Sequence, residues 1–175
     1  GRLAFVDRQF NSLSVKQRWS KTSPQHLETL ALDRIIPRSW ISWSFAVVRH
    51  HAARIASVFR FQRDIEQSSP TDHSFSDWVC NLATALKKQP HQLDNHTRPA
   101  SDLVPSDAVV FRLEDGLSRV VAWLDQIEGA TRGPREVAAA NVLTAVRAHL
   151  GRVPGPEPEM TPTAQEAIAA LYADD

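Results

Sequence analysis

Cysteine is almost absent from this sequence: Cys80 is the only one among 175 residues. One thiol cannot form an internal disulfide, which excludes a disulfide-stabilised secreted scaffold and fits a reducing, cytoplasmic compartment. The histidines are scattered and have no cysteine partners at the spacing of a zinc site, so we expect no structural metal. Cys80 follows Trp78 and Val79 in a helical pattern, which predicts a buried, unreactive thiol.

The sequence also lacks net charge and long apolar runs. Twenty basic and twenty acidic side chains cancel, so no strong field favours nucleic acid or an acidic membrane surface. No apolar run approaches the roughly 20 residues that span a membrane, and no signal peptide is visible. With 42% hydrophobic residues, a chain of this length predicts one domain with an ordinary core.

The apolar pattern predicts strands and helices in alternation. The apolar run at 42–48 predicts a central parallel strand, and 108–113 predicts a second strand. Residues 3–6 are interpreted as a short strand or its remnant. The polar, proline-punctuated segment 89–105 is too long for a plain connection and is expected to carry function. Helices are predicted at 23–34, 51–67, 74–87, 116–127, 137–150 and 161–172.

The strand at 42–48 runs directly into Arg49, and a helix follows at once. Open α/β sheets bind ligands at the carboxyl ends of their strands. Ser57 follows about two turns into that helix. An arginine and a hydroxyl placed in this way can converge on one phosphate. A plain strand–helix junction with surface basic residues explains the same pattern.

The segment 49–57, RHHAARIAS, resembles the 3′-phosphate-binding segment of sulfotransferases, which reads strand, Arg-(Asp/Asn)-Pro-x-x-Arg-x-x-Ser. Arg49, Arg54 and Ser57 match this pattern, whereas His50 and His51 replace its acidic or amide residue and its proline. The resemblance implies that Arg49, Arg54 and Ser57 bind 3′-phosphoadenosine 5′-phosphosulfate (PAPS), the sulfuryl donor.

Other segments resemble the family-2 branch, the carbohydrate-type sulfotransferases and their bacterial relatives. His26 lies in a segment where this branch can carry the base that takes the acceptor's proton, so the resemblance implies a catalytic role. The sequence HTRPA at 96–100 is similar to His-x-Arg-Pro-Gln, which implies that His96 and Arg98 lie near the acceptor or cofactor, while Ala100 departs from the pattern. Two further pieces follow in order, Arg112-Leu113-Glu114 after a strand and Tyr172-Ala173-Asp174 after the last helix.

The resemblance implies an α/β, P-loop-NTPase-like three-layer sandwich with a mostly parallel sheet. It also implies sulfuryl transfer from PAPS to a hydroxyl or amine of a small-molecule or carbohydrate acceptor, without a metal. The family's 5′-phosphosulfate loop is missing, because no apolar strand precedes the superficially similar Lys21-Thr22-Ser23.

Three interpretations stay open. The chain is expected to be a partial sulfotransferase domain, 1–175, that is inactive alone and lacks the first strand and loop of a longer enzyme. The alternative is a non-catalytic binding or scaffolding relative that never had them. The third is an unrelated helical interaction domain, which paired strands at 42–48 and 108–113 would exclude.

The candidate residues also have plain structural explanations. His26 can be a partly exposed histidine at a helix start, and Arg54 a solvated helix arginine. For Glu114 we favour a structural ion pair or an acid at a helix N-terminus. The tryptophans could line an acceptor groove, but most are expected in core or rim packing; they are Trp19, Trp40, Trp43, Trp78 and Trp123.

Overall fold

Two short strands form a parallel sheet in the computed structural model, which describes residues 9–69, 73–129, 135–138 and 142–175. Strand β1, Phe45–Val48, pairs with β2, Val109–Arg112, so that Phe45 lies opposite Val109 and Val48 opposite Arg112. Both predicted strands and their parallel direction are confirmed. The pairing excludes the purely helical alternative.

The prediction that β1 is a buried central strand is wrong for the described residues. Phe45 and Val47 are 43% and 39% exposed. The sheet of the described residues contains β1 and β2 alone, so each strand has one outer edge without a strand beside it. A strand in the middle of a sheet would be covered on both faces and paired on both edges.

The remaining regular elements are helical, and together with the sheet they make an α/β chain. The helices are α1 Thr29–Ile35, α2 His51–Phe61, α3 Phe75–Lys88, α4 Ala100–Leu103, α5 Ser118–Glu128, α6 Leu143–His149 and α7 Pro162–Leu171. Shorter 3-10 turns cover Val15–Gln17, Pro24–His26, Arg38–Trp40, Gln92–Asn95 and Leu113–Asp115, and a π-helical turn covers Gln62–Glu66. The strand expected at 3–6 lies outside the described residues.

The helix predicted to run without interruption from 23 to 34 is wrong in its first half. The 3-10 turn Pro24–His26 ends at Leu27, which is extended, and α1 begins only at Thr29. The carbonyl oxygen of His26 accepts hydrogen bonds from Asn95 Nδ2 at 2.7 Å and from Thr22 Oγ1 at 3.1 Å. Because side chains satisfy this carbonyl, the backbone leaves the helix here.

The described chain falls into two compact units that alternate along the sequence. The first comprises 9–44, 79–108 and 162–175, and the second comprises 45–69, 73–78, 109–129, 135–138 and 142–161. The single-domain expectation concerns the whole chain and stays a prediction.

In the first unit, α3 and α7 bury their apolar faces. Val79 and Leu82 of α3 are buried, as are Ala164 and Ile168 of α7. The α7 residues and Tyr172 recur every fourth position, the spacing that places side chains on one helix face.

In the second unit, aromatic side chains pack around α2 and the sheet. The Phe59 ring on α2 lies 5.3 Å from that of Phe75 and 5.4 Å from that of Trp78. The ring centroid of Trp123 on α5 lies 5.4 Å from that of Phe45 and 5.8 Å from that of Phe111, in edge-on geometry. Such pairs add roughly 0.5–1.5 kcal/mol to the burial itself.

The second unit contains a buried cluster of ion pairs. Asp64, in the π-helical turn, accepts from Arg63 Nε at 2.7 Å and also from the Arg147 guanidinium. Gly155 N–H donates to the same carboxylate at 3.3 Å, and Arg63 donates to Pro156 O at 2.7 Å. The cluster therefore joins the end of α2 to α6 and to the proline-rich segment after it.

Several expectations about single side chains are corrected. Cys80 is exposed, since the buried face of α3 falls on Val79 and Leu82 instead. Trp40 and Trp43 are 78% and 66% exposed, so they do not pack in a core. None of the helices in the described part of the chain has the length and apolar character needed to cross a bilayer.

Candidate functional site

His26 and Asp94 form a hydrogen-bonded pair in the first unit. Nδ1 of His26 lies 2.6 Å from Oδ2 of Asp94. Ser23 supports the same carboxylate, because its N–H donates to Oδ1 and its hydroxyl to Oδ2, each at 2.6 Å. Residues 68 positions apart in sequence thus meet in one polar cluster, which we call the His26–Asp94 pair.

Asp94 lies in a left-handed turn. Leu93, Asp94 and Asn95 have φ angles of 52°, 53° and 65°. This region suits aspartate and asparagine better than leucine, for which it costs roughly 1–2 kcal/mol. Strained residues persist where the surroundings hold them firmly, often at functional sites. Here the contacts of Asp94 with Ser23 and of Asn95 with the His26 carbonyl hold the turn.

The protonation state of Asp94 follows from its contacts. Burial raises the pKa of Asp94, but hydrogen bonds from His26 and Ser23 and the charge of His26 lower it more, so that it lies well below its ordinary value. An ionised carboxylate only accepts hydrogen bonds, so Nδ1 of His26 carries the shared proton. Nε2 is then the nitrogen that carries the lone pair in the neutral ring, as a histidine general base requires.

Ser23 supports the pair and is not placed as a nucleophile. Its hydroxyl lies 3.0 Å from Nδ1 of His26, the same nitrogen that faces Asp94. In a Ser-His-Asp triad the hydroxyl and the carboxylate contact opposite ring nitrogens. The chemistry of this cluster therefore centres on His26.

The structure brings the second candidate histidine to the first. The rings of His96 and His26 have their centroids 4.3 Å apart and are inclined by 57°. The His96 N–H donates to Leu93 O at 3.0 Å, so the left-handed turn positions this residue too. His96 is exposed, whereas the His26 side chain is about one-third exposed.

Arg98, the third candidate of the first unit, is engaged by carboxylates. Its guanidinium donates to Glu28 at 2.5 Å and to Asp102 at 2.8 and 3.1 Å. The Arg98 side chain is only 16% exposed. These contacts tie the loop to the start of α1 and to α4, while a role in substrate binding stays a prediction.

Tyr172 and Asp175 form hydrogen bonds with the segment around His96 and Arg98. Tyr172 donates its hydroxyl hydrogen to Thr97 O at 2.5 Å. The Asp175 carboxylate accepts from the N–H groups of Ala100 and Ser101 at 2.8 and 3.0 Å. It thereby satisfies donors at the start of α4. The resemblance places the terminal acid at Asp174, but Asp175 makes these contacts.

A cleft of about 500 Å³ lies between α3, α4 and α7 in the first unit. Its size falls in the roughly 300–1,000 Å³ range of small-molecule pockets. Arg98 and Lys87 supply its basic groups, and the exposed Cys80 lies in its wall. The remaining lining residues are Val79, Ala83, Leu86, Pro90, Pro99, Asp102, Ala167, Ala170 and Leu171.

The predicted cofactor-binding residues all belong to the second unit. Arg49 follows β1 directly and is exposed. Arg54 and Ser57 lie on α2 and are half-buried. Because they are three residues apart, their side chains are neighbours on the helix surface.

The carboxylate of Glu114, from the 3-10 turn after β2, contacts the start of α2. Glu114 accepts from the His50 N–H at 2.8 Å, and His50 Nδ1 accepts from the Ala52 N–H at 3.3 Å. The His50 hydrogen bond lowers the pKa of Glu114, with smaller contributions from the charges of His50 and Arg49. Glu114 was expected at the start of the helix that follows its strand; its carboxylate instead lies at the N-terminus of α2.

Two residues of the site, Asp94 and Ser23, were not predicted from the sequence. The sequence offers only local spacings as signals: Asp94 lies two positions before His96, and Ser23 lies three positions before His26. Neither spacing reveals a partner about 70 residues away.

Comparison with known proteins finds no relative of this chain. No protein-family model, no curated protein and no solved structure matches it. The likeness to sulfotransferases therefore stays a resemblance of short motifs, and function has to be inferred from side-chain geometry.

Proposed function

We propose that the His26–Asp94 pair is the general base of a group-transfer reaction in which an acceptor hydroxyl or amine takes a sulfuryl group from PAPS. The observation that carries the proposal is the 2.6 Å contact between His26 Nδ1 and Asp94 Oδ2. It supports a proton on Nδ1, which leaves Nε2 as the nitrogen that can take up the acceptor's proton. A positioned base of this kind typically accelerates a reaction by ~10²–10⁴.

In the proposed step, Nε2 of His26 takes the proton of the acceptor as the acceptor atom attacks sulfur. The bond between sulfur and the bridging oxygen of the 5′-phosphate breaks, and its electron pair leaves with adenosine 3′,5′-bisphosphate. His26 becomes an imidazolium, whose charge the Asp94 carboxylate offsets. The carboxylate thus stabilises charge that develops during transfer.

The donor nucleotide is assigned to Arg49, Arg54 and Ser57 because of their motif and their residue types. An exposed arginine at the carboxyl end of a parallel strand suits a phosphate. Glu114 introduces an opposing charge beside the same helix start. A three-layer, P-loop-like sandwich belongs to this proposal as the fold that the resemblance implies.

A non-catalytic binding module is the second candidate. It is favoured by the local backbone: Lys21-Thr22-Ser23 leads into the 3-10 turn Pro24–His26 and not into the N-terminus of an α-helix, where phosphates are usually bound. The described residues thus include no strand–loop–helix unit for the 5′-phosphosulfate, and such a protein would bind the nucleotide without transferring its sulfuryl group.

The base is tested by steady-state sulfuryl transfer with a panel of hydroxyl and amine acceptors, in a protein that includes the 5′-phosphosulfate loop as well as residues 1–175, because 1–175 alone is expected to be inactive. His26→Ala should lower kcat by ~10²–10⁴ and leave the affinity for adenosine 3′,5′-bisphosphate unchanged. The matched control is His149→Ala, an exposed histidine of α6. Unchanged turnover in His26→Ala would refute the assignment. Nucleotide binding without transfer by the wild type would favour the binding module.

The nucleotide site is tested by calorimetry with adenosine 3′,5′-bisphosphate. Arg49→Ala should lose about 1.5–3 kcal/mol of binding free energy, the usual range for charge-assisted hydrogen bonds, or roughly ten- to hundredfold in Kd. Arg119→Ala is the control, because Arg119 is an exposed arginine of α5 that pairs with Asp115. Equal affinities of the two variants would count against Arg49.

A further inference from the structure

We propose that His26, Asp94 and His96 form a binding site for a transition-metal ion, Zn²⁺ in the first place. One ligand atom from each of the three side chains lies within 4.8 Å of the others. Two imidazoles and one carboxylate are a donor set that zinc sites use, with a fourth position left for water. Sequence spacing gave no sign of this site, since His26 and the Asp94-x-His96 segment are about 70 residues apart.

The geometry requires only small side-chain movements. Zinc binds nitrogen and oxygen at about 2.0–2.2 Å, so the ligand atoms of a tetrahedral site lie roughly 3.4 Å apart. His26 Nδ1 and Asp94 Oδ2 are 2.6 Å apart, closer than this, while the largest separation is up to 4.8 Å. Binding therefore requires the Asp94 carboxylate to recede from His26 Nδ1 and the more widely separated ligand atoms to approach one another.

The surroundings hold the ligands as outer-shell groups do in metal sites. Ser23 donates two hydrogen bonds to Asp94, and Asn95 fixes the backbone of His26. Partners of this kind orient ligands and raise metal affinity. The His26 and Asp94 side chains are 35% and 37% exposed, so a hydrated ion has access from solvent.

The ligand types also set the selectivity. Imidazole suits zinc, cobalt, nickel and copper, whereas magnesium and calcium prefer sites built from oxygen atoms. The site should therefore bind Zn²⁺ or Co²⁺ and should not bind Mg²⁺ or Ca²⁺. In the proposed function, on which this one consequence rests, bound Zn²⁺ would compete with the proton for His26 and inhibit transfer.

Metal binding is measured without any donor nucleotide, so its failure is distinct from failure of the proposed function. The metal-free chain is titrated with Zn²⁺ against a chromophoric chelator, and Co²⁺ absorption reports the coordination geometry. We expect one Zn²⁺ per chain and at least tenfold weaker binding for His96→Ala, whose folded state is checked by circular dichroism. The matched control is His51→Ala. His51 belongs to a second pair of neighbouring histidine rings, since the centroids of His50 and His51 lie 4.4 Å apart. This variant should bind Zn²⁺ as the wild type does.

Asp94→Asn provides a second variant and should also weaken Zn²⁺ binding at least tenfold. Its circular dichroism and thermal melting show whether it is folded. If it does not fold, the decision rests on His96→Ala. The proposal is overturned if the wild type binds no Zn²⁺ up to millimolar concentration, if His96→Ala binds as tightly as the wild type, or if His51→Ala abolishes the binding.

Discussion

The His26–Asp94 pair predicts a measurable stability effect. The Asp94 carboxylate accepts hydrogen bonds from His26 Nδ1–H and from the hydroxyl and N–H of Ser23. In Asp94→Asn one oxygen becomes an NH₂ group that faces these donors. Hydrogen bonds to a charged group contribute about 1.5–3 kcal/mol. Because the Asp94 side chain is 37% exposed, screening by solvent reduces the contribution of these hydrogen bonds. We therefore expect the variant to lose about 1–2 kcal/mol of unfolding free energy at pH 7.

The pH dependence of this difference has a definite sign. The pKa of folded Asp94 lies below its ordinary value, so the unfolded chain binds the proton more readily. The stabilisation is fully present above the unfolded-state pKa of about 3.9 and is lost as the pH falls through the folded-state pKa. The difference between wild type and Asp94→Asn should therefore shrink below about pH 4.

Urea unfolding at several pH values measures these free energies. The control is Asp115→Asn, because Asp115 and Arg119 form a 3.3 Å surface pair with side chains 48% and 71% exposed. Such a pair contributes about 0–1 kcal/mol. The reasoning is refuted if Asp94→Asn is no less stable than this control at pH 7, or if its deficit grows as the pH falls below about 4.

Three further variants test the packing of the units by urea unfolding. Asp64→Asn should cost about 3–5 kcal/mol, because it leaves the buried Arg63 and Arg147 guanidinium groups without a counter-charge; a loss below 1 kcal/mol would contradict this. Gly155→Ala should cost about 1–3 kcal/mol, since its Cβ would lie 2.5 Å from the Arg63 guanidinium carbon; wild-type stability would show that Arg63 can move. Tyr172→Phe should cost about 1–3 kcal/mol by leaving a buried carbonyl unpaired, and an unchanged midpoint would disprove that role of the hydroxyl.

Elements with a strong apolar period were predictable from the sequence. Helices α3 and α7 lie within one or two residues of the predicted bounds, because their buried residues recur at helical spacing. The two strands were also predicted, and their direct pairing is confirmed. What the apolar run at 42–48 could not show is how many neighbours the strand has, since burial depends on parts of the chain remote in sequence.

The candidate site was only half predictable. His26 and His96 were singled out from motifs, and the structure places their rings side by side. Asp94 escaped because its contact depends on a left-handed turn that includes Leu93, a residue with no preference for that conformation. The break after His26 escaped for a similar reason: the side chain that satisfies its carbonyl, Asn95, is 69 positions away.

The start of α2 shows how a residue that departs from the compared motif can still cap the helix. His50 stands where the sulfotransferase pattern has an acidic or amide residue, and its Nδ1 caps the helix as those side chains would. His50 brings no negative charge next to Arg49, whereas an aspartate at this position would; Glu114, which accepts from the His50 N–H, carries a negative charge at the same helix start. Whether Arg49 can hold a phosphate therefore depends on Glu114 as well as on the motif, because both charges lie at the same helix start.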